Sequence, residues 1–176
     1  MLLELDAATE ADYPAVVDLA NVAFRGSGAD AGWNSEADYI AGPRLTESLL
    51  RADLASNPGT QLLVYRDHPG GPLLGTVLLG PRDNDVWYLG LVTVRPDLQN
   101  RRWGGALLAA AENFAKERGA RCIRMTVVNV RATLIAWYQR RGYALTGETQ
   151  PFPYDDRRFG VPLRDDLSFV VLERDI

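Results

Sequence analysis

The residues from Val92 to Ala106 have the make-up of an anion site. An apolar run ends at Val92-Thr93-Val94. Pro96 and Asp97 turn the chain, and a helical pattern starts at the pair Gly104-Gly105. A helix start leaves amide N–H groups without partners and carries a partial positive charge. Glycines let that backbone come close to an anion, and Arg101 and Arg102 add charge beside it. The combination suits a diphosphate. It equally suits an ordinary strand-to-helix connection with a solvated arginine pair. It is not a Walker loop, because no Gly-Lys-Ser/Thr follows, and the G-x-G-x-x-G of a dinucleotide fold is absent.

A second segment, Met125 to Tyr143, repeats the strand-then-helix pattern with polar residues at the join, Asn129 and Arg131, and a phenol, Tyr138, on the helix. By spacing alone Tyr138 is a core or rim aromatic of an amphipathic helix. Cys122 falls in an apolar strand with no histidine nearby in sequence, so it reads as packing. His68 sits in a Pro/Gly turn. No His, Cys and carboxylate grouping has metal-ligand spacing, so no metal is expected.

The elements that must position these groups follow from periodicity. A short strand is expected over 2–5. Thr9 to Asp12 reads as a capping box ahead of a helix over 10–24. A glycine-bearing loop covers 25–32, and a second helix covers 46–56. Strands are expected over 61–66, 73–79 and 86–94 as an antiparallel meander. Then come a helix stopped by Gly119, a strand over 121–128, a helix over 131–141 ended by Gly142, and strands over 143–146 and 167–172. No linker or repeat divides the chain, so a single domain over 1–176 is expected. The fold class is α+β, or mixed α/β, around one central sheet.

The two segments together resemble the cofactor motifs of the GNAT (GCN-related) N-acetyltransferase superfamily. Gln99 and Gly104 match the ends of its Q/R-x-x-G-x-G/A motif, with Arg102 where the middle glycine stands. Tyr138, Gly142 and Tyr143 match the spacing of its second motif, whose asparagine falls on Arg131 rather than Asn129. The resemblance implies a mostly antiparallel, twisted sheet flanked by helices and splayed at a cofactor cleft. It implies acetyl-CoA as co-substrate and transfer of the acetyl group to a primary amine of a small molecule or peptide. In that picture Val92, Thr93 and Val94 meet the pantetheine arm, and Gln99, Asn100, Arg101, Arg102, Trp103, Gly104 and Gly105 face the pyrophosphate. Asn129 or Arg131 touches pantetheine or phosphate. Tyr138 protonates the leaving thiolate, and the Val92 N–H meets the oxyanion. A positive φ at Arg102 would cost about 1 kcal/mol. A non-catalytic acyl-CoA binding module is the alternative, and modification of an amine-bearing antibiotic is the same chemistry on a special substrate.

The acceptor side is less legible. Trp33 and Glu36, with Phe152 and Tyr154, lie in two segments that mix aromatics with acids, which would suit a cationic amine. The same aromatics would equally cover a sheet edge or a homodimer contact. Glu36, Asp38, Glu47 and Glu148 are the candidate bases. Composition bounds the rest. The net charge of −4 disfavours nucleic acid as a partner. The lone cysteine fits a reducing cytoplasm. The N-terminal residues lack the pattern of a secretory signal, and no apolar run is long enough for a membrane span.

Overall fold

Asp12 closes the first helix start by accepting the Thr9 N–H at 2.9 Å. A 3-10 turn over Glu10–Asp12 leads into α1 (Tyr13–Arg25), where Pro14 occupies the first turn and needs no amide partner. α1 buries Val16, Leu19, Ala20, Ala23 and Phe24, the one-sided stripe its spacing predicts. The computed structural model of the protein describes residues 2–28 and 31–176, so Ala29 and Asp30 of the expected loop lie outside the described residues. α2 (Glu47–Ser56) is capped by Thr46, whose hydroxyl accepts the Leu49 N–H at 3.2 Å. Among the described residues, no helix is long and apolar enough to cross a membrane.

The strands are β1 (Asp6–Ala7), β2 (Ile40–Ala41), β3 (Gln61–Tyr65), β4 (Gly75–Pro81), β5 (Val86–Val94), β6 (Cys122–Val128), β7 (Ala144–Pro151), β8 (Val161–Pro162) and β9 (Ser168–Asp175). The two remaining helices are α3 (Trp103–Lys116) and α4 (Ala132–Gln139). The main sheet runs β1-β3-β4-β5-β6-β9-β7, and β2 pairs with β8 in a separate two-stranded ribbon. The first strand therefore lies at Asp6–Ala7 and not over 2–5, because only those two residues register with Leu63 and Val64. The β2–β8 ribbon has no sequence signal. Each arm is only two residues long, and the pairing joins parts of the chain far apart in sequence. β7 and β9 run further than their apolar stretches, since ladder pairing to a neighbour continues past the hydrophobic residues.

Every adjacent pair in the main sheet is antiparallel except β5 and β6. These two are parallel, linked through α3, and register only at Val86–Cys122, Trp87–Ile123 and Tyr88–Arg124. Beyond Tyr88 the ladder between them ends, while β6 stays paired with β9 to Val128 and β5 stays beside β4 to Val94. The sheet forks at that point. The Tyr88 hydroxyl and the Thr126 hydroxyl, 3.1 Å apart, bridge the fork just above the last pair.

β5 also carries a bulge. Thr76 pairs with Thr93 but Leu78 with Gly90, so Leu91 and Val92 together face Val77. Leu91 takes φ +53°, a conformation that a leucine holds only under constraint. The extra residue reverses which side chains face which layer. Trp87 and Leu89 join the core under α3, Leu91 joins the core under α1 and α2, and Val92 and Val94 return to the α3 side. A third small cluster, Ile40, Val128, Phe152 and Leu167, closes the far end of the fork.

Candidate active site

The connection from β5 to α3 forms the cradle. Leu98 and Gln99 close a 3-10 turn on Arg95 and Pro96. The next amide with a main-chain partner is Ala106, which bonds the Arg102 carbonyl at 3.1 Å. Among the described residues, the amides from Asn100 to Gly105 have no backbone partner. Asn100 and Arg102 take φ +64° and +67°. The arginine at the expected glycine position thus keeps the left-handed geometry instead of reshaping the loop. Replacing Arg102 by glycine removes that strain. A gain of about 0.5–1 kcal/mol in unfolding free energy is expected, measured by urea titration.

Gly104 leaves close room for α4. A Cβ there would lie 3.2 Å from the Trp137 ring of α4. Trp103 turns away from the cradle and packs on Tyr65, with ring centroids 5.4 Å apart. Gln99 donates to the Val94 carbonyl at 3.1 Å, and its buried amide oxygen, packed against Gly32, has no partner among the described residues. Arg141 is a cradle residue that the sequence reading missed. Its guanidinium stacks on Trp137 at 3.6 Å and would meet a Cβ on Gly105 at 3.4 Å. Only the return of the chain through α4 brings it there.

The fork opens onto a cavity of ≈ 380 Å³. Val92 on one arm and Tyr138 on α4 both line it. Thr93 does not face it, being fully buried with its hydroxyl donated to the Leu91 carbonyl at 2.9 Å. Tyr138 is held edge-on between Trp137 and Tyr143, at centroid distances of 5.0 and 5.6 Å. Its hydroxyl makes no hydrogen bond among the described residues, and burial pushes the phenol up to about 12. Tyr143 has a different fate. It donates to Glu112 at 2.8 Å, and Glu112 also pairs with Arg174 at 2.9 Å, so this second phenol is tied into the far side of the core. Gly142 between them takes φ +91°, the left-handed turn that ends α4.

Two polar candidates have partners within the protein. Asn129 donates its amide to the Asp166 carbonyl at 2.9 Å and accepts the Ser168 N–H at 3.0 Å, so both ends of its side chain hold the start of β9. Arg131 is buried and bonds the carbonyl and side chain of Asn34, the former at 2.8 Å. It also pairs with Glu36 at 3.6 Å, while Arg25 takes the other Glu36 oxygen at 3.2 Å. Glu36 therefore lines the cavity as the centre of a buried ion triad, not as a carboxylate open to an acceptor. Of the other candidate bases, Asp38 and Glu47 are exposed, and Glu148 pairs with Arg124 at the outer edge of the sheet.

The acceptor-side aromatics divide. Phe152 is buried and lines the cavity. Tyr154 accepts the Leu167 N–H at 2.8 Å and meets Phe152 edge-on, with centroids 5.1 Å apart. Trp33 is 43 % exposed and leans toward Trp137, at 6.2 Å between ring centroids. The acids of that second segment do not turn inward as expected: Asp155 is exposed, and Asp156 chelates Arg158. A cavity carboxylate that periodicity did not single out is Asp53 on α2. It has no hydrogen-bond partner among the described residues, and burial raises its carboxyl above the usual range.

The whole fold is shared with solved structures of N-acetyltransferases. The ribosomal-protein-S18-alanine N-acetyltransferase of Escherichia coli matches over 99 % of this chain and 94 % of its own, at TM-score 0.68 and 16 % identity. The ribosomal-protein-alanine N-acetyltransferase of Brucella melitensis matches over 99 % and 100 %, at 0.67 and 22 %. A GNAT family acetyltransferase of Elizabethkingia anophelis, solved with acetyl-CoA bound, matches over 99 % and 98 %, at 0.66 and 17 %. A comparison with curated protein sequences finds no match. Residues 16–143 match the acetyltransferase (GNAT) family, and the chain belongs to that family.

Proposed function

We propose that the chain, acting as one catalytic domain, moves an acetyl group from acetyl-CoA to a primary amine of a small molecule or peptide by direct attack in a ternary complex. The observation that carries this reading is the fork: Val92 on one arm and Tyr138 on the facing helix line one opening, beside a row of unpartnered amides. A diphosphate fits that row, because the free N–H groups converge at a helix start with Arg141 alongside. That two of the similar structures are named for acetylating a ribosomal protein supports keeping peptides among the acceptors.

When bound, acetyl-CoA supplies a thioester carbonyl for amine attack and a thiolate as leaving group. The bulge at Leu91–Val92 takes those residues out of one-to-one pairing with β4, which suits the Val92 N–H to donate to the developing oxyanion. Tyr138 keeps its proton and donates it to the departing sulfur. Cradle and helix start hold the diphosphate, so orientation is set away from the reacting atoms.

The test is thermal unfolding with and without acetyl-CoA, followed by thiol release over an amine panel. The expected result is a rise in Tm that follows RT ln(1 + [L]/Kd), together with release that depends on the amine. No rise in Tm would sink the acetyl-CoA reading. A rise without release from any amine would favour the binding module instead.

A further inference from the structure

The cavity at the fork carries more guanidinium than carboxylate. Arg25, Arg44, Arg82 and Arg131 line it, against Glu36 and Asp53. Arg25 and Arg131 are spent on Glu36. Arg44 and Arg82 form no ion pair among the described residues. Each lies over a ring instead, Arg44 over Phe24 at 5.4 Å and Arg82 over Tyr88 at 5.1 Å. A guanidinium stacked by its face keeps its donor edge for another partner. Arg82 uses one donor on its neighbouring Pro81 carbonyl at 2.9 Å and keeps the rest.

The two free arginines differ in surroundings. Asp53 acts on Arg44 electrostatically, so that charge is partly offset. Arg82 also lines a second cavity with Asp83 and Glu173, but among the described residues it pairs with neither, and Glu173 is taken by Arg124 at 2.6 Å. Thr60 lines the same cavity, and its buried hydroxyl, without a partner among the described residues, packs against Gly80, two residues before Arg82. Arg82 and Thr60 thus bring unspent donors to the Tyr88 end of the opening. The reaction end is at Val92, four residues along β5 or roughly 13 Å away.

We infer that the acceptor is an amine that also carries an anionic group, seated by Arg82 and the Thr60 hydroxyl, with Arg44 adding to the positive field. The inference rests on the acyl-transfer reading of the same cavity and narrows its acceptor class. A carboxylate and a phosphate ester offer the same oxygen acceptors to a guanidinium edge. A diamine would place its second cation against uncompensated positive charge.

The experiment compares amines that share a chain length and differ at the far end: n-alkylamines, ω-aminoalkanoates, aminoalkyl phosphates and α,ω-diamines. Binding is read from the Tm of the protein loaded with coenzyme A, and turnover from thiol release with acetyl-CoA. The anionic members are expected to bind the loaded protein on the order of tenfold more tightly than the neutral amine, and diamines least. Whichever of carboxylate and phosphate gains more identifies the group. In Arg82→Ala the anionic preference should fall to within about twofold, and in Arg82→Glu it should invert toward diamines. Because each variant is compared with itself across ligands, a loss of overall stability does not imitate this change. Equal binding of neutral and anionic amines by the unaltered protein, or a preference that survives both substitutions, would overturn the inference. Selective binding without thiol release from any amine would leave the anion seat standing and remove the transfer reading.

Discussion

Replacing Tyr138 by phenylalanine is expected to lower kcat by about 10²–10⁴-fold, the usual contribution of a positioned proton donor. The KM for acetyl-CoA should change little. The ring that packs edge-on against Trp137 and Tyr143 is retained, and only the hydroxyl, which has no partner among the described residues, is lost. Burial pushes this phenol up to about 12, so it is protonated and able to donate throughout the neutral range. Such a weak acid still serves a thiolate, because the same apolar surroundings disfavour the sulfur anion as well. The rate of the unaltered protein should rise with pH as the acceptor amine loses its proton. It should not turn down on account of Tyr138 until the pH nears 12. The variant should show the same shape at lower height, and an unchanged kcat would remove the phenol from the chemistry. The linked stability effect has a definite sign. A phenol raised above its ordinary value of 10.0 stabilises the fold below that pH, and this contribution is lost as pH rises through about 12. Alkaline unfolding between those limits should therefore be less steep in the phenylalanine variant.

Glu36→Ala is expected to give the largest stability loss of any single charge removal, about 3–5 kcal/mol. The carboxylate and its Arg25 partner expose only 5 % and 7 % of their side chains, and Arg131 exposes 7 %. Removing the acid leaves two guanidinium groups facing each other with no counter-charge. Their remaining bonds among the described residues are to main-chain carbonyls, Gly42, Pro43 and Phe159 for Arg25 and Asn34 for Arg131, and to the Asn34 side chain. At about 2–4 °C per kcal/mol for a chain of this size, Tm should fall by roughly 10 °C. Glu36→Gln, which keeps an acceptor oxygen, should fall less. This pair of variants also tests the remaining catalytic reading of Glu36. A general base would lose turnover in the glutamine variant with stability intact, whereas the triad predicts loss of stability first and turnover in proportion.

The readable parts of the sequence were those set by local periodicity. α2 falls within a residue of its expected bounds, and α1 ends within one of its own, with Glu10–Asp12 forming a 3-10 turn ahead of it; capping residues and apolar stripes are close neighbours in the chain. The limits of β5 match as well, bounded by turn residues on one side and Pro96 on the other. The cradle was legible for the same reason. What escaped depends on chain segments that meet only after folding. The partners of Arg131 (Glu36 and Asn34) and the β9 partner of Asn129 come from distant parts of the chain. Asp53 and Arg82 carry no motif, and only the packing of α2 across the sheet puts them in one cavity. The β2–β8 ribbon and the bulge at Leu91 left no trace, because a two-residue pairing and a one-residue offset are smaller than any period.

That offset makes β5 a strand counted in odd steps. Upstream of Gly90 its odd-numbered residues face α3, and downstream of Leu91 its even-numbered residues do. Conservative exchanges at single positions leave the alternation alone. An insertion or deletion between Gly90 and Thr93 would send Val92 and Val94 into the wrong layer and carry the cradle half a pleat out of phase with the fork. In this strand the number of residues is therefore under tighter constraint than their identity, and natural variation in length should gather outside both strand and cradle, in the turn at 83–85.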